Sequence, residues 1–306
     1  MIKIITGKLN RLKGVKFRFD LPKPQKILQL DELHSDILKK IIKKDFNIMP
    51  LRNLEIYFWI LVRQFIFFDF RFSTYFQNYI KFTSTKIVIT FIDNNLSYYK
   101  FKDKLKNVHF LSIQNGVRSQ ETNFFLKKFQ RQNPRLLKNL KCDHLFVFNN
   151  YFKKEYQKII KSKYHIIGNL NNNMIEVNKT KYKNSYLFVA FGANRKNSSL
   201  NSMRIGLSHQ LLKLIASYFL NSNLKLNILL KNKDLKNQDK EIEFYKRFFK
   251  KNCIFHRSNT IKKSYKIVDK FDNIIFTNST LGYEAISRKK KVAVFPVNKD
   301  KIDKKV

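Results

Sequence analysis

The stretch 273-NIIFTNSTLGYEAISRKKKVAVFP-296 contains a complete structural sentence. "NIIF" (273–276) and "KVAVFP" (291–296) are short apolar, β-branched runs of the kind that form buried strands. Between them lie two hydroxyl residues, a glycine and a glutamate, with helix signals starting near Ser279. Asn278, Ser279 and Thr280 are each suited to cap that helix. Its free amide groups and the positive end of its dipole would favour a phosphate. Gly282 removes a side chain where a ligand could press close. Thr280 and Glu284 fall on one helical face, with Glu284 about one turn (roughly 5–6 Å) deeper, where a carboxylate suits a sugar hydroxyl. The same pattern also describes an ordinary capped helix with an exposed glutamate.

Working outward, the alternation of strand and helix repeats along the chain. "KILQL" (26–30) is a strand, "DELHSDILKKIIKK" has helical spacing, and 54–81 reads as one aromatic-rich helix. "KIVITFIDNN" (86–95) and "VHFLSIQNGVRSQ" (108–120) each read as a buried strand running into a polar loop. A helix is expected over 122–141, a strand at 144–150, a helix over "YFKKEYQKIIK" and a strand and loop at 164–173. The Asn- and Lys-rich stretch 169–184 has little to bury and is the natural boundary, giving domains of 1–175 and 176–306. Beyond it come a strand and loop at 185–196 and strands at 224–234, 253–256 and 273–276, interleaved with helices at 203–221, 238–251 and 261–270. Apolar strands alternating with helices predict an α/β fold with parallel sheets in both halves. The chain closes on "VNKDKIDKKV" without an evident last helix, as a C-terminal domain cut short would.

Hydrophobic residues make up 43% and aromatics 15%, enough for sizeable cores. The formal net charge is +40, dominated by lysine and scattered. Asn, Ile and Phe are abundant while Gly (7) and Pro (5) are scarce, the joint bias an AT-rich coding sequence produces. Part of the charge is therefore compositional; the rest would draw the protein to phosphorylated substrates or acidic membrane surfaces. Cys142 and Cys253 lie far apart and fit a reducing cytoplasm. The N-terminus has no apolar core or cleavage site of a signal peptide. "LEIYFWILVRQFIFFDF" (54–70) is broken by Glu55, Arg63, Gln64 and Asp69, which predicts a buried or interfacial helix rather than a span. No His/Cys/carboxylate group has metal-ligand spacing, no Asp-x-Asp pair occurs, and neither phosphate-binding glycine motif is present.

"TNSTLGYEAISRKKKVAVFP" resembles the signature of a bacterial surface carbohydrate biosynthesis protein family of GT-B glycosyltransferase type. "IVITFIDNN", "FLSIQNGVRS" and the run from "IFHRSN" to the signature are similar to that family too, so the likeness spans roughly 85–296. "SRKKK" departs from the family's small-Arg-Gly-Lys run by losing a glycine. The resemblance implies two Rossmann-like domains facing across a cleft, the C-terminal one holding a nucleotide-sugar. Ser279 and Thr280 would then contact diphosphate and Glu284 ribose, with Gly282 beside them. Lys231, Arg195 and Lys196, after their strands, would neutralise the departing diphosphate, with His256 near base or diphosphate.

Ligands in such sheets bind at strand C-termini, which nominates the loops "IDNN" and "IQNGVRS" for the acceptor. Asp93 is the expected general base, a loop-capping aspartate being the alternative. Asn94, Gln114, Asn115, Gly116 and Arg118 are expected to bind acceptor hydroxyls or phosphate. His34 and His209 read as ordinary surface or core histidines.

The expected activity is metal- and cofactor-independent, nucleotide-sugar-dependent glycosyl transfer in capsule or lipopolysaccharide synthesis. It would act on a glycan or lipid-linked acceptor, in the cytoplasm or at the inner membrane's inner face. An epimerase or polyol-phosphate transferase of the same architecture is the alternative. A basic nucleic-acid-binding protein is the rival of another class, with no recognised module to support it.

Overall fold

The computed structural model describes residues 15–51, 55–66, 68–69, 71–117, 139–191, 199–249, 253–277 and 279–295. The chain forms two compact units that divide between Asn169 and Leu170.

The first unit carries a six-stranded, all-parallel sheet. Its strands are β2 (Ile27–Leu30), β3 (Asn47–Met49), β5 (Ile87–Thr90), β6 (His109–Ile113), β7 (Leu140–Val147) and β8 (Ile160–Ile166). Their order is β3-β2-β5-β6-β7-β8. β1 (Lys16–Arg18) and β4 (Glu55–Tyr57) pair separately. Leu28, Val88, Phe110 and Leu145, one from each central strand, are fully buried, as a sheet covered on both faces requires. Helix α4 (Leu96–Lys104) closes on this sheet through Tyr98 and Tyr99, both fully buried. Their hydroxyls donate to the Val88, Leu111 and Asp93 carbonyls, so the large rings enter the core without leaving an orphaned O–H.

Two expectations change here. The region 54–81 is not one helix but β4, then α2 (Phe58–Ile66) and α3 (Phe72–Phe82). Gln64 is buried at the turn between them and donates to the carbonyls of Asp69 and Arg71, which tethers the reversal. Most of the helix expected at 122–141 lies outside the described residues, and its last two positions open β7, which alternates buried and half-buried residues.

The second unit is a five-stranded parallel sheet of order β11-β10-β9-β12-β13. These are β9 (Tyr182–Val189), β10 (Leu226–Leu229), β11 (Cys253–His256), β12 (Phe271–Phe276) and β13 (Lys291–Val294). The intervening helices are α7 (Ser199–Asn221), α8 (Leu235–Phe249), α9 (Ile261–Asp269) and α10 (Thr280–Ser287). Both strand orders are those of doubly wound nucleotide-binding sheets. The order reverses between β2 and β5 in the first unit, and between β9 and β12 in the second. Ligands of such sheets bind outside the strand C-termini at that reversal.

"SRKKK" resolves into an alternation: Arg288 and Lys290 are buried, Lys289 and Lys291 exposed. All five N–H donors of Arg288 are used. Nε and Nη2 grip Asp269 at 2.7 and 2.6 Å, and the rest reach Asn172 and the carbonyls of Ile175 and Glu176. Lys290 donates to Thr180 and to the Asp269 carbonyl. The polar segment 172–180, which has little apolar surface of its own, is thereby fastened to the end of α10. The missing glycine does not abolish the turn. Lys290 N–H bonds the Ala285 carbonyl and Lys289 N–H that of Ile286, with Lys289 in the left-handed region at φ 60°.

Candidate functional site

In the second unit, β12 delivers the chain to Thr277 beside central β9 and α10 begins at Thr280. The N-cap, Ser279, is extended (φ −145°, ψ 126°) and its side chain makes no capping bond. Ser279 and Thr280 are half-buried at the start of the helix, whose first amide groups have no intrahelical acceptor. Hydroxyls, amide donors and a positive helix end thus coincide at the sheet's reversal point, a chemistry suited to an anion.

Gly282 and Glu284 take different parts from those expected. A Cβ at Gly282 would lie 2.2 Å from Cγ of Phe276, so the glycine admits that ring and lets α10 settle on its own strand; it does not face a ligand. Glu284 is only 8% exposed and its Oε2 accepts the Tyr265 hydroxyl. Burial, then the adjacent carboxylate, push the Tyr265 phenol far up. The ring of Tyr265 lies 5.1 Å from the Arg288 guanidinium. Glu284 therefore braces the helix from behind, within the polar chain Glu284–Tyr265–Arg288–Asp269, rather than presenting an open carboxylate.

Lys231 lies two residues beyond β10 and is exposed, and its backbone N–H donates to Glu241 Oε1. Lys233, also exposed over the residue as a whole, folds its Nζ back to donate to the Ser258 and Ser264 hydroxyls, and desolvation there lowers its pKa. Nothing in the sequence distinguishes it from its many lysine neighbours. His256 is also corrected. Its Nε2 donates to Asn227 Oδ1 at 2.9 Å on neighbouring β10, its ring stands edge-on to Phe271, and burial lowers its pKa, aided by Lys270. It is a sheet-face histidine. Arg195 and Lys196 lie outside the described residues.

The first unit revises the expected base. Asp93 follows β5 but is 1% exposed: Oδ1 accepts the Asn115 N–H, Oδ2 accepts the Tyr156 hydroxyl, and its carbonyl accepts Tyr99. It ties three segments together and has no face open to an acceptor, as the loop-capping alternative foresees. Gln114 is likewise structural, buried, with Nε2 donating to the Gly116 carbonyl and Oε1 accepting the Phe148 N–H. Asn94 is exposed, and Asn115 and Gly116 are half-buried. Arg118 lies outside the described residues.

The group that sequence reading set aside is His34. It ends the loop after β2, in the left-handed region at φ 61°, half-buried with its ring against Phe91. Its Nε2 meets Asn115 Oδ1 at 3.0 Å across the reversal point. With the amide oxygen accepting, Nε2 carries the proton and Nδ1 is the basic nitrogen. Only the β2–β5 adjacency, invisible along the chain, marks it out. Among the described residues no group of three or more His, Cys, Asp or Glu is arranged to hold a metal ion.

Comparison with known proteins now adds to this geometry. A family model described as "putative O-antigen biosynthesis protein" matches residues 111–305. The chain belongs to that family. No curated protein sequence matches it. Among solved structures, it is similar to the UDP-GlcNAc 2-epimerase of Methanocaldococcus jannaschii in complex with UDP-GlcNAc and UDP. The TM-score is 0.50 at 12% identity, over 88% of this chain and 82% of that one. A glycosyltransferase from Rickettsia africae aligns over 88% of this chain and 78% of its own, with TM-score 0.45 and 16% identity. The architecture is thus of the GT-B kind, two Rossmann-like units with parallel sheets.

Proposed function

We propose that this family member is a nucleotide-sugar-dependent glycosyltransferase of bacterial surface polysaccharide synthesis, working without a metal ion. The observation that carries the reading is the uncapped Ser279 hydroxyl at the start of α10, beside the sheet's reversal point, in a chain of the O-antigen biosynthesis family. Ser279, Thr280 and the first amides of α10 would hold the diphosphate, and their fixed dipoles would stabilise the charge that grows as the anomeric bond breaks. Lys231, two residues past the end of β10 and separated from β12 by β9, and Arg195 and Lys196 are proposed to add positive charge. In the first unit His34 replaces Asp93 as proposed general base, since Nδ1 of a half-buried imidazole can take a proton from an acceptor hydroxyl and an enclosed carboxylate cannot. The acceptor is proposed to be a glycan or lipid-linked glycan, and the setting cytoplasmic.

A thermal-shift screen of nucleoside diphosphates and nucleotide-sugars tests this, because ligand bound to the folded state raises the melting temperature. Ser279→Ala should melt as the wild type does without ligand and lose most of the ligand-induced shift. An unchanged shift in Ser279→Ala would overturn the donor-site assignment. Product analysis with labelled nucleotide-sugar separates transfer from epimerisation. His34→Gln should lower kcat by about 10²–10⁴-fold, the range for a lost general base, while leaving nucleotide binding intact.

A further inference from the structure

The N-terminal unit carries, away from its candidate site, an apolar ridge beside a concentration of lysines. Phe17, in β1, and Phe19 and Leu21, in the segment that follows it, are each more than half exposed. Phe19 packs on Phe58, and its carbonyl accepts the Trp59 indole N–H at 2.8 Å. Helix α2 extends the ridge with Trp59, Phe65 and Ile66, each more than half exposed, and Arg63 stands among them.

The lysines surround a concavity of about 1080 Å³ at the opposite end of the sheet from His34, where Lys26 and Lys86 immediately precede β2 and β5. Lys39, Lys43 and Lys44 complete its rim. A second hollow shares Ser84 and Lys86 with the first and adds Lys81, Lys104 and Lys106. Among the described residues Asp45 is the single carboxylate lining either. Ridge and basin are joined by one short segment: residue 19 is bonded to Trp59, and Gln25 N–H donates to the Thr83 carbonyl at the basin wall.

We propose that this ridge and basin form a docking surface for an anionic lipid bilayer. Exposed aromatic and aliphatic side chains beside a lysine rim match the boundary between acyl chains and acidic headgroups. Trp59 can enter that boundary because its N–H is already satisfied. A second copy is the poorer occupant, since each chain carries a formal charge of +40 and copies repel. The inference is independent of the donor-site reading.

The test is co-sedimentation of the full chain with vesicles of phosphatidylglycerol and phosphatidylcholine, against phosphatidylcholine alone. Trp59 is the only tryptophan, so its emission reports on the ridge directly. Binding should need the anionic lipid, weaken as salt rises, and shift Trp59 emission to the blue. Lys39→Gln/Lys43→Gln/Lys44→Gln should bind about a hundredfold more weakly, at about 1 kcal/mol per lysine. Phe65→Ser/Ile66→Ser should abolish the blue shift while keeping weak, salt-sensitive binding. All five side chains are exposed, so circular dichroism melts should match the wild type; the wild-type salt titration needs no variant. Equal binding to neutral vesicles, or bound protein with unshifted Trp59, would overturn the proposal. So would a blue shift that follows protein concentration without lipid, which would make the ridge a contact between copies, or retention by RNA in place of vesicles.

Discussion

Replacing Arg288 with methionine removes the cation from the Asp269–Arg288 pair while keeping most of its volume. Both side chains are buried, at 2% and 0% exposure, and joined by two bonds of 2.6–2.7 Å. The variant leaves a carboxylate enclosed with its remaining donors from Asn178, and strands the carbonyls of Ile175 and Glu176. Breaking one partner of a buried pair costs about 3–5 kcal/mol, so urea unfolding of the second unit should shift by that amount near neutral pH.

The pH dependence identifies the cause. Burial by itself would raise the Asp269 pKa, but Arg288 and Asn178 together bring it below the ordinary range. A depressed folded-state pKa gives stability that is present above the unfolded value of about 4 and lost as pH falls through the folded value. In Arg288→Met the carboxyl loses its cation and burial dominates, so its pKa rises and protonation relieves the buried charge. The difference between wild type and variant should therefore start to narrow above about pH 4, where the variant's carboxyl takes its proton, and go on narrowing below it as the wild type loses its own contribution. A double-mutant cycle with Asp269→Asn should show coupling of at least 1 kcal/mol. A loss under 1 kcal/mol, or a gap that stays constant down to pH 3, would refute the argument that this pair holds segment 172–180 in place.

Other outcomes follow from the same end of the molecule. Gly282→Ala places a methyl inside the fully buried Phe276 ring and should destabilise by about 3 kcal/mol, at the upper end for overpacking, with Phe276→Leu restoring part of the loss in chemical denaturation. Lys289→Gly should stabilise by about 0.5–1 kcal/mol, because the left-handed strain it relieves exceeds the added chain entropy; a lower melting temperature would contradict the Schellman assignment. Asp93→Asn should lower stability through its three-segment tie and, if folded, leave kcat within about tenfold, whereas His34→Gln should not.

Local signals carried far into the fold. Short β-branched runs alternating with helical periodicity fixed the α/β class, and "NIIFTNSTLGYEAI" placed the strand, turn and helix start within a few residues. Chain-local reading failed where a side chain's fate depended on a distant neighbour. The helix at 54–81 broke because Gln64 bonds carbonyls beyond a reversal that no Pro or Gly announces. Asp93, Gln114, His256 and Glu284 all looked like open polar groups at strand or helix ends. Each is instead hydrogen-bonded to a partner 19 or more residues away: Tyr156, Phe148, Asn227 and Tyr265.

The sequence alone determined which segments become strands and helices, because hydrophobic period and capping chemistry act over a few residues. Only the tertiary structure decided which polar side chains remain available for chemistry. Availability depends on what the sheet order brings alongside, and that order put His34 next to Asn115 while turning Glu284 toward Tyr265.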